Sequence, residues 1–320
     1  MFTRLTQLAL ALLLFIFVTP LLRGAEWPDR IFTPYAYLGA STPFQLTACN
    51  DACGQKYYVL AFIVADKQNN PAWDGFASLD RNPYADQIAA IRQRGGDIIA
   101  SFGGEAGKEL ALAEKNATAL QAKYQAVIDR YKVTWLDFDI EGNGLSKTEA
   151  NVRRNAVLAK LQAANPGLRI SYTLPVSPNG ISDDSQHLLT DAKAQGVKVY
   201  SVNIMTMYFG KEWMQKQKMI GLCETSAVKA REQIQGIDSS VQIGLTPCIG
   251  QNGDEQEIFS EDDAAALEKW AVAQPWICSL SFWSVNRDAG TPGKVSDDVH
   301  SGISQPAWTF TKLFQNFAAH

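Results

Sequence analysis

Eight short apolar runs recur along the chain, and their order is the feature that most restricts its fold. They are rich in β-branched and aromatic residues, and most are apolar without alternation, which is typical of strands covered on both faces of a parallel sheet. The runs span residues 34–39, 57–65, 97–102, 133–140, 168–174, 197–207, 241–245 and 277–283.

The segments between these runs carry helix signals. Residues 86–94 place Ile88 and Ile91 on one face before a Gly-Gly pair, which is a common helix end. Residues 146–149 read Ser-Lys-Thr-Glu, which has the form of a capping box and predicts that a helix begins there. Residues 261–272 are a further candidate helix. Eight strands alternating with helices predict an α/β fold, a single-domain (β/α)8 barrel (TIM barrel). A doubly wound open sheet is the alternative, although the chain has no Gly-rich phosphate loop.

The N-terminus has the pattern of a secretory signal. A short region with Arg4 precedes an apolar stretch at residues 8–22, and small residues follow up to Ala25. We expect residues 1–25 to be a signal peptide, residues 26–320 to form the catalytic domain, and the protein to be secreted or periplasmic. An uncleaved membrane anchor is the alternative, but the run is short for a span. After processing we expect a monomer without stable membrane association.

Composition and residue types exclude several functions. The net charge is −4 with no long basic run, so nucleic acid and anionic membranes are poor partners. The histidines, at positions 187, 300 and 320, have no ligand spacing to a cysteine and accompany no Ser or Cys motif. We therefore expect no metal or cofactor and no Ser-His-Asp chemistry. Among the five cysteines, Cys49 and Cys53 are a plausible local disulfide in an exported protein.

Three carboxylates occupy alternate positions of the fourth run: Asp137, Asp139 and Glu141. On a strand they share one face, about 6.6 Å from each to the next. Trp135 should lie on the same face, with Leu136, Phe138 and Ile140 on the other. Adjacent like charges on a buried strand are costly, so the pattern indicates an acid/base site whose members perturb one another's pKa values.

Other polar and aromatic residues follow the same ends of the predicted strands. In a barrel of this type, the carboxyl ends of the strands build the active site. Gly103 and Gly104 close the third strand, and paired glycines would let a ligand approach the backbone. Residues 203–208 end the sixth strand, and Trp283 ends the eighth. Asn252 and Asp254 follow the seventh. We expect these residues to meet at one rim.

Residues 136–142, Leu-Asp-Phe-Asp-Ile-Glu-Gly, resemble the D-x-D-x-E signature of glycoside hydrolase family 18, the chitinases. Residues 101–104, Ser-Phe-Gly-Gly, are similar to that family's S-x-G-G segment. Residues 60–63, 173–175, 202–207, 246–250 and 281–288 resemble corresponding runs of its bacterial chitinase-D-like branch. The likeness covers roughly residues 32–288 in the same order.

The resemblance implies chitin or N-acetylglucosamine oligosaccharides as substrate and a retaining mechanism in which the substrate's 2-acetamido oxygen is the nucleophile. Glu141 matches the general acid and base. Asp139 matches the residue that orients the acetamide, and Asp137 the residue that shares a proton with Asp139. Trp283 matches the floor under the sugar. The resemblance also implies substrate contacts at Met205, Met207, Gly103, Gly104, Tyr208, Asn252 and Asp254.

The sequence departs from the family pattern at three places. Thr134 stands where an acidic residue often precedes the triplet. Tyr208 replaces the aspartate of the usual Met-Asp-Tyr-Gly, and it is our candidate for a group that holds the acetamide. Residues 250–254 contain one residue more than the usual Gly-x-Asn-Asp, so the position of Asp254 is open.

Two other functions are consistent with the same residues. An endo-β-N-acetylglucosaminidase that acts on glycoprotein glycans uses the same substrate-assisted chemistry. A non-catalytic, chitin-binding lectin on the same fold characteristically lacks the acid, whereas Glu141 is present.

Overall fold

A computed structural model describes residues 26–39, 44–253, 256–290 and 297–319. The strands in this part of the chain are β1 (Ile31–Phe32), β2 (Tyr35–Tyr37), β3 (Tyr57–Ala65), β4 (Pro71–Trp73), β5 (Ala77–Ser78), β6 (Asp97–Gly103), β7 (Trp135–Asp139), β8 (Arg169–Ser177), β9 (Gly180–Ile181), β10 (Val199–Met205), β11 (Gln242–Thr246), β12 (Gly250–Gln251), β13 (Ile258–Phe259) and β14 (Ile277–Leu280). The α-helices are α1 (Leu46–Cys53), α2 (Ala85–Gln93), α3 (Leu110–Ala113), α4 (Ala117–Tyr131), α5 (Gly142–Ser146), α6 (Thr148–Ala164), α7 (Asp183–Ala194), α8 (Lys211–Met214), α9 (Met219–Ile237), α10 (Glu261–Val272) and α11 (Thr309–Gln315).

One large sheet organises these elements. Its parallel strands follow the order β1-β14-β11-β10-β8-β7-β6-β3. The segment that contains β1 and β2 is hydrogen-bonded to strands at both ends of this series. β1 pairs with β14 and β2 pairs with β3, each in parallel. Backbone bonds continue both contacts: Tyr35 N donates to Phe282 O, and Leu38 N donates to Ala61 O.

The predicted α/β class is confirmed, and each of the eight predicted runs contains a parallel strand of this sheet. The candidate helix at residues 261–272 is also confirmed, with a capping box between Ser260 and Asp263. The capping box predicted at residues 146–149 is wrong. Ser146 is the last residue of α5, and its hydroxyl donates to Asn143 O. The next helix begins at Thr148 with no side-chain cap.

The two faces of β7 bury different surroundings, as the alternation predicts. Leu136, Phe138 and Ile140 belong to the main core between sheet and helices. Trp135 belongs to a smaller cluster with Tyr35, Val59, Ala61 and Ile99. Asp137 and Asp139 alternate with the main-core residues, and both are buried. The carboxyl groups therefore stand on the face of the smaller cluster, beyond Trp135.

Cys49 and Cys53 lie one turn apart on α1 with their sulfurs 3.6 Å apart. Both are free thiols, since a disulfide requires about 2.05 Å; the disulfide expected between them is therefore not formed. No helix in the described ranges is long and apolar enough to span a membrane. The predicted signal, residues 1–25, lies outside them.

Candidate active site

Aromatic rings form a floor at the carboxyl end of the parallel strands. Trp283, just beyond β14, stacks on Phe62 with ring centroids 5.5 Å apart and planes 9° from parallel. Tyr37 and Tyr35 contact the same indole at 5.6 and 6.0 Å. The Ala61–Phe62 and Trp283–Ser284 peptide bonds are cis. Trp283 thus lies half-buried at the predicted end of the sheet, with three other rings holding it.

Asp137 is enclosed by hydroxyl groups. Four side chains, which we call the hydroxyl cage, donate to its carboxylate: Ser101 at 2.7 Å, Ser171 at 2.7 Å, Thr173 at 3.0 Å and Tyr35 at 3.1 Å. Burial raises the pKa of Asp137, and the hydroxyl donors oppose that rise. The Asp137 carboxylate is therefore held in place by hydrogen bonds from four side chains.

Asp139 is hydrogen-bonded to Glu141, and the charge of Asp137 also acts on it. Burial raises the pKa of Asp139 well above its ordinary value, and the charges of Glu141 and Asp137 raise it further. A hydrogen bond between Asp139 and Glu141 also raises the pKa of Asp139. The sharing of a proton between Asp137 and Asp139 stays a prediction; in this structure the hydrogen bonds of the Asp137 carboxylate are those of the hydroxyl cage.

Glu141 stands beyond the end of β7 in an extended conformation and is less buried than the two aspartates. Burial raises its pKa, the hydrogen bond with Asp139 opposes the rise, and the negative charge of nearby Glu105 adds to it. A carboxyl group that holds its proton to a higher pH than usual is suited to proton donation.

Gly103 and Gly104 lie where a side chain would collide with other parts of the protein. An added Cβ on Gly103 would lie 2.0 Å from the carbonyl oxygen of Asp139, and one on Gly104 would lie 2.6 Å from the Phe62 ring. Gly104 N also donates to Asp139 O at 3.0 Å. Gly103 thus lets β6 pack closely on β7, and Gly104 leaves room for the Phe62 ring of β3. The approach of a ligand to these glycines stays a prediction.

The segment after β10 carries the remaining predicted contacts. Met205 ends β10 and Met207 follows it; both are half-buried, and Tyr208 is 54% exposed. The Tyr208 hydroxyl contacts Cys248 Sγ at 3.8 Å. Asn252 is buried, and its amide is hydrogen-bonded to the backbone at Tyr208 N, Cys248 O and Gly250 O. Asp254 lies outside the described residues.

Sequence reasoning missed two groups of the site. Tyr35 completes the hydroxyl cage from the first strand segment, and the buried Glu257 binds the backbone after Tyr208. Tyr35 sits in an apolar run without a polar pattern, and Glu257 is one acid in a loop, so neither carried a distinguishing signal. In the described part of the chain, no group of His, Cys, Asp or Glu side chains could hold a metal ion.

Three carboxyl groups, which become less buried from Asp137 to Glu141, lie beside an aromatic floor at the carboxyl end of parallel strands. This arrangement is typical of an α/β glycoside hydrolase.

No family model matches the chain. Curated relatives do match it: the chain is 29% identical over 312 residues to a probable bifunctional chitinase/lysozyme of Escherichia coli, covering 91% of the chain and 35% of the relative. It is 30% identical over 279 residues to endochitinase 11 of Metarhizium anisopliae, covering 82% and 53%.

A solved structure is similar over its whole length. Catalytic-site mutants of active domain 2 of the Pyrococcus furiosus chitinase, complexed with chito-oligosaccharides, are 31% identical with a TM-score of 0.84, covering 93% of this chain and 97% of that one. The chain belongs to the glycoside hydrolase family 18 chitinases. It spans only 35% and 53% of the length of the two curated relatives.

Proposed function

We propose that this protein hydrolyses β-1,4 bonds between N-acetylglucosamine residues in chitin or its oligosaccharides. The observation that carries the proposal is the buried Asp139–Glu141 pair, whose carboxyl groups have raised pKa values. The Trp283 floor at the same end of the sheet offers an apolar face on which a pyranose ring packs. The names of the relatives, chitinase and endochitinase, favour the same reaction.

The proposed chemistry is substrate-assisted and retains the anomeric configuration. The acetamide oxygen of the sugar attacks its own anomeric carbon while the bond to the leaving oxygen breaks, and Glu141 gives its proton to that oxygen. Water then attacks the anomeric carbon, the bond to the acetamide oxygen breaks, and Glu141 accepts the proton of the water. The proposed steps use only the substrate, water and these side chains.

The two aspartates have distinct parts in this scheme. Asp139 accepts a hydrogen bond from the acetamide N–H and so turns the acetamide oxygen toward the anomeric carbon. Asp137, fixed by the hydroxyl cage, keeps a negative charge beneath Asp139. That charge stabilises the cationic ring that forms in the first step.

We also propose that the parallel sheet closes into a single-domain (β/α)8 barrel. The bonds that the β1–β2 segment makes with both β14 and β3 support closure. In this arrangement the smaller aromatic cluster fills the barrel interior. Gel filtration of residues 26–320 at several concentrations tests the expected monomer, and a mass that rises with concentration would contradict it.

We also propose that the protein is exported. The apolar stretch at residues 8–22, flanked by Arg4 and Ala25, supports a cleaved leader. We expect the exported protein to begin near residue 26. Mass spectrometry of the protein recovered outside the cytoplasm tests this, and an intact N-terminus retained in membranes would favour an anchor.

The function is tested by following chitohexaose hydrolysis by NMR and mapping the products. We expect shorter oligomers whose new reducing ends are first released as the β-anomer. Initial release of the α-anomer would contradict retention. Release of glycans from a glycoprotein without action on chitohexaose would favour an endo-β-N-acetylglucosaminidase. Binding without any new reducing end would favour a sugar-binding protein. The ordered segments shared with the chitinase-D-like branch favour hydrolysis.

A further inference from the structure

The short helix that follows Glu141 has little stability of its own. α5 (Gly142–Ser146) has five residues, two of them glycine. Helices this short are not stable alone in water, and glycine inside a helix weakens it further. Gly144 N and Leu145 N of this helix donate to Glu141 O at 2.8 and 3.2 Å. A change in the position of α5 would therefore move the backbone of Glu141.

The first turns of α6 hold the far end of α5. Asn151 Nδ2 donates to Leu145 O at 2.7 Å, and Asn151 is 4% exposed. Leu145 takes part in both contacts, since its N–H donates to Glu141 O and its carbonyl oxygen accepts from Asn151. Its side chain lies in the main core. The backbone of Glu141 is thus joined to Asn151 through one buried residue.

A buried ion pair fixes the direction of the Asn151 amide. Arg154 Nη1 donates to Asn151 Oδ1 at 2.8 Å, and Arg154 Nη2 donates to Glu109 Oε2 at 2.7 Å. Turning the amide over would place its NH2 group against the guanidinium and its oxygen against Leu145 O, so both contacts would become repulsive. Burial alone would raise the pKa of Glu109, but the Arg154 charge holds that pKa below its ordinary value. The pair therefore stays ionised.

The same part of α6 also holds the segment that follows β6. Glu109 lies in that segment, and its Cγ would be 3.7 Å from a Cβ added to Gly103. α3 begins beside Glu109, and Arg153 Nη2 donates to Ala111 O of this helix at 2.6 Å. The segments after both β6 and β7 are thus bound to one rigid helix.

We propose that Asn151 is a positioning residue for the general acid. It fixes α5, and so it sets the backbone and carboxyl group of Glu141 against the leaving oxygen. Arg154 acts through Asn151 by orienting its amide. A misplacement of about 1 Å can reduce a rate roughly 10²-fold even when the changed residue is far from the chemistry. The inference rests on the proposed hydrolysis.

Two substrates distinguish a misplaced acid from a general loss of structure. Cleavage of chitotetraose expels a sugar oxygen that needs a proton, whereas 2,4-dinitrophenyl β-chitobioside expels a stable phenolate that leaves without one. For N151A we expect the ratio of kcat/KM for chitotetraose to kcat/KM for the aryl glycoside to fall roughly tenfold. Partial unfolding would lower both values by the same factor and leave the ratio unchanged.

N155A is the matched control, because Asn155 lies one turn further along α6 and is 0% exposed. Its Nδ2 donates to Leu188 O of α7 at 3.1 Å, and its Oδ1 accepts from the Tyr172 hydroxyl. It therefore forms the same kinds of bond as Asn151, but to α7 instead of α5. The ratio in N155A should equal that of the wild type.

An unchanged ratio in N151A, or an equal fall in N155A, would overturn the positioning role of Asn151. A wild type that cleaves neither substrate would instead contradict the proposed function.

R154K tests whether Arg154 acts through Asn151. Lysine keeps the charge opposite Glu109 but lacks the fork that binds two acceptors at once, so we expect the ratio to fall less than in N151A. The double variant N151A/R154K should have the same ratio as N151A, since no amide is left for Arg154 to orient. An unchanged ratio in R154K, or a further fall in the double variant, would overturn this role of Arg154.

Discussion

The protonation of each carboxyl group in the site depends on a different set of neighbours. Asp137 is surrounded by hydroxyl donors, Asp139 faces two other acids, and Glu141 borders solvent near Glu105. Burial raises all three pKa values. In the proposed mechanism, Glu141, which is the least buried of the three, delivers the proton.

Replacement of Glu105 by glutamine should shift the pH profile of hydrolysis. Glu105 is exposed, and its charge raises the pKa of Glu141. The reaction needs protonated Glu141, so a lower pKa moves the alkaline limb of kcat/KM to lower pH. The shift should shrink at high salt, which screens exposed charges. E232Q, in the last turns of α9, is the control and should leave the limb in place; an unmoved limb in E105Q would contradict the assignment.

Replacement of Asp139 by asparagine should remove part of the pH dependence of stability. The pKa of Asp139 is higher in the folded state than its ordinary value of 3.8, so the folded state binds this proton more tightly. Its stabilising effect is present at low pH and is lost as the pH rises through the folded-state pKa. Urea unfolding should show D139N to be more stable than the wild type at neutral pH. Equal stability of the two proteins there would contradict this electrostatic cost.

Some of these residues were predictable and others were not. The alternation of Asp137, Asp139 and Glu141 depends only on strand geometry, so it was visible in the sequence. Tyr35 reaches Asp137 across 102 positions, and Glu257 reaches Phe209 across 48. Such contacts arise from tertiary packing, which leaves no local pattern.

At the scale of elements, β6 and β7 approach each other closely because β6 ends in glycine. Gly103 has a φ of +101° and pairs with Asp139 in the sheet. The sequence indicated the importance of the pair of glycines, but it did not reveal which group fills the space. Gly103 leaves room for the Asp139 carbonyl oxygen, and Gly104 leaves room for the Phe62 ring.

Replacement of Gly103 by alanine should therefore displace the catalytic strand. The new Cβ would lie 2.0 Å from Asp139 O, and a displacement of about 1 Å can reduce the rate roughly a hundredfold. G236A is the control, because Gly236 lies in α9 with no atom within 4 Å of an added Cβ. It should retain wild-type kcat/KM and gain up to about 1 kcal/mol of stability. Wild-type activity in G103A would contradict this account of the glycine.

A buried ion pair joins three helices beside these strands. Arg154 of α6 bonds to Glu109 at 2.7 Å, and Glu109 also accepts from Ala111 N at the start of α3 and from Tyr124 of α4. The two side chains are 0% and 6% exposed. Neither residue was distinguishable in the sequence from an ordinary surface charge.

Replacement of Arg154 by alanine should reduce the free energy of unfolding by about 3–5 kcal/mol, because it leaves the Glu109 charge buried and unpaired. K229A removes an exposed ion pair between Lys229 and Glu232, whose side chains are 50% and 59% exposed, respectively. That control should cost less than about 1 kcal/mol. Guanidinium unfolding measures both, and similar losses in the two variants would contradict the distinction.

At the scale of the whole molecule, the order of strands and helices was the most predictable property. Near-continuous apolar runs separated by helical segments follow from burial of a parallel sheet on both faces. The exact start of α6 was not predictable, because Ser146 ends α5 and the next helix begins at Thr148 without a side-chain cap. The positive φ of Tyr208 was not predictable either, because the backbone there is held by Asn252 and Glu257, which lie more than 40 positions away.

The fold brings the ends of separate strands together around one reaction. Trp283 follows β14, Glu141 follows β7, and Tyr208 follows β10. Family membership and this geometry both support the proposed acid-assisted cleavage of N-acetylglucosamine polymers. The central claim is that Glu141 supplies the proton.

The most direct test compares wild-type protein with E141Q on chitohexaose, measuring both release of reducing ends and binding by calorimetry. Glutamine keeps the shape of the side chain but has no acidic proton, so we expect the rate to fall roughly 10²-fold to 10⁴-fold while binding remains close to that of the wild type. Hydrolysis by E141Q at the wild-type rate would contradict the claim.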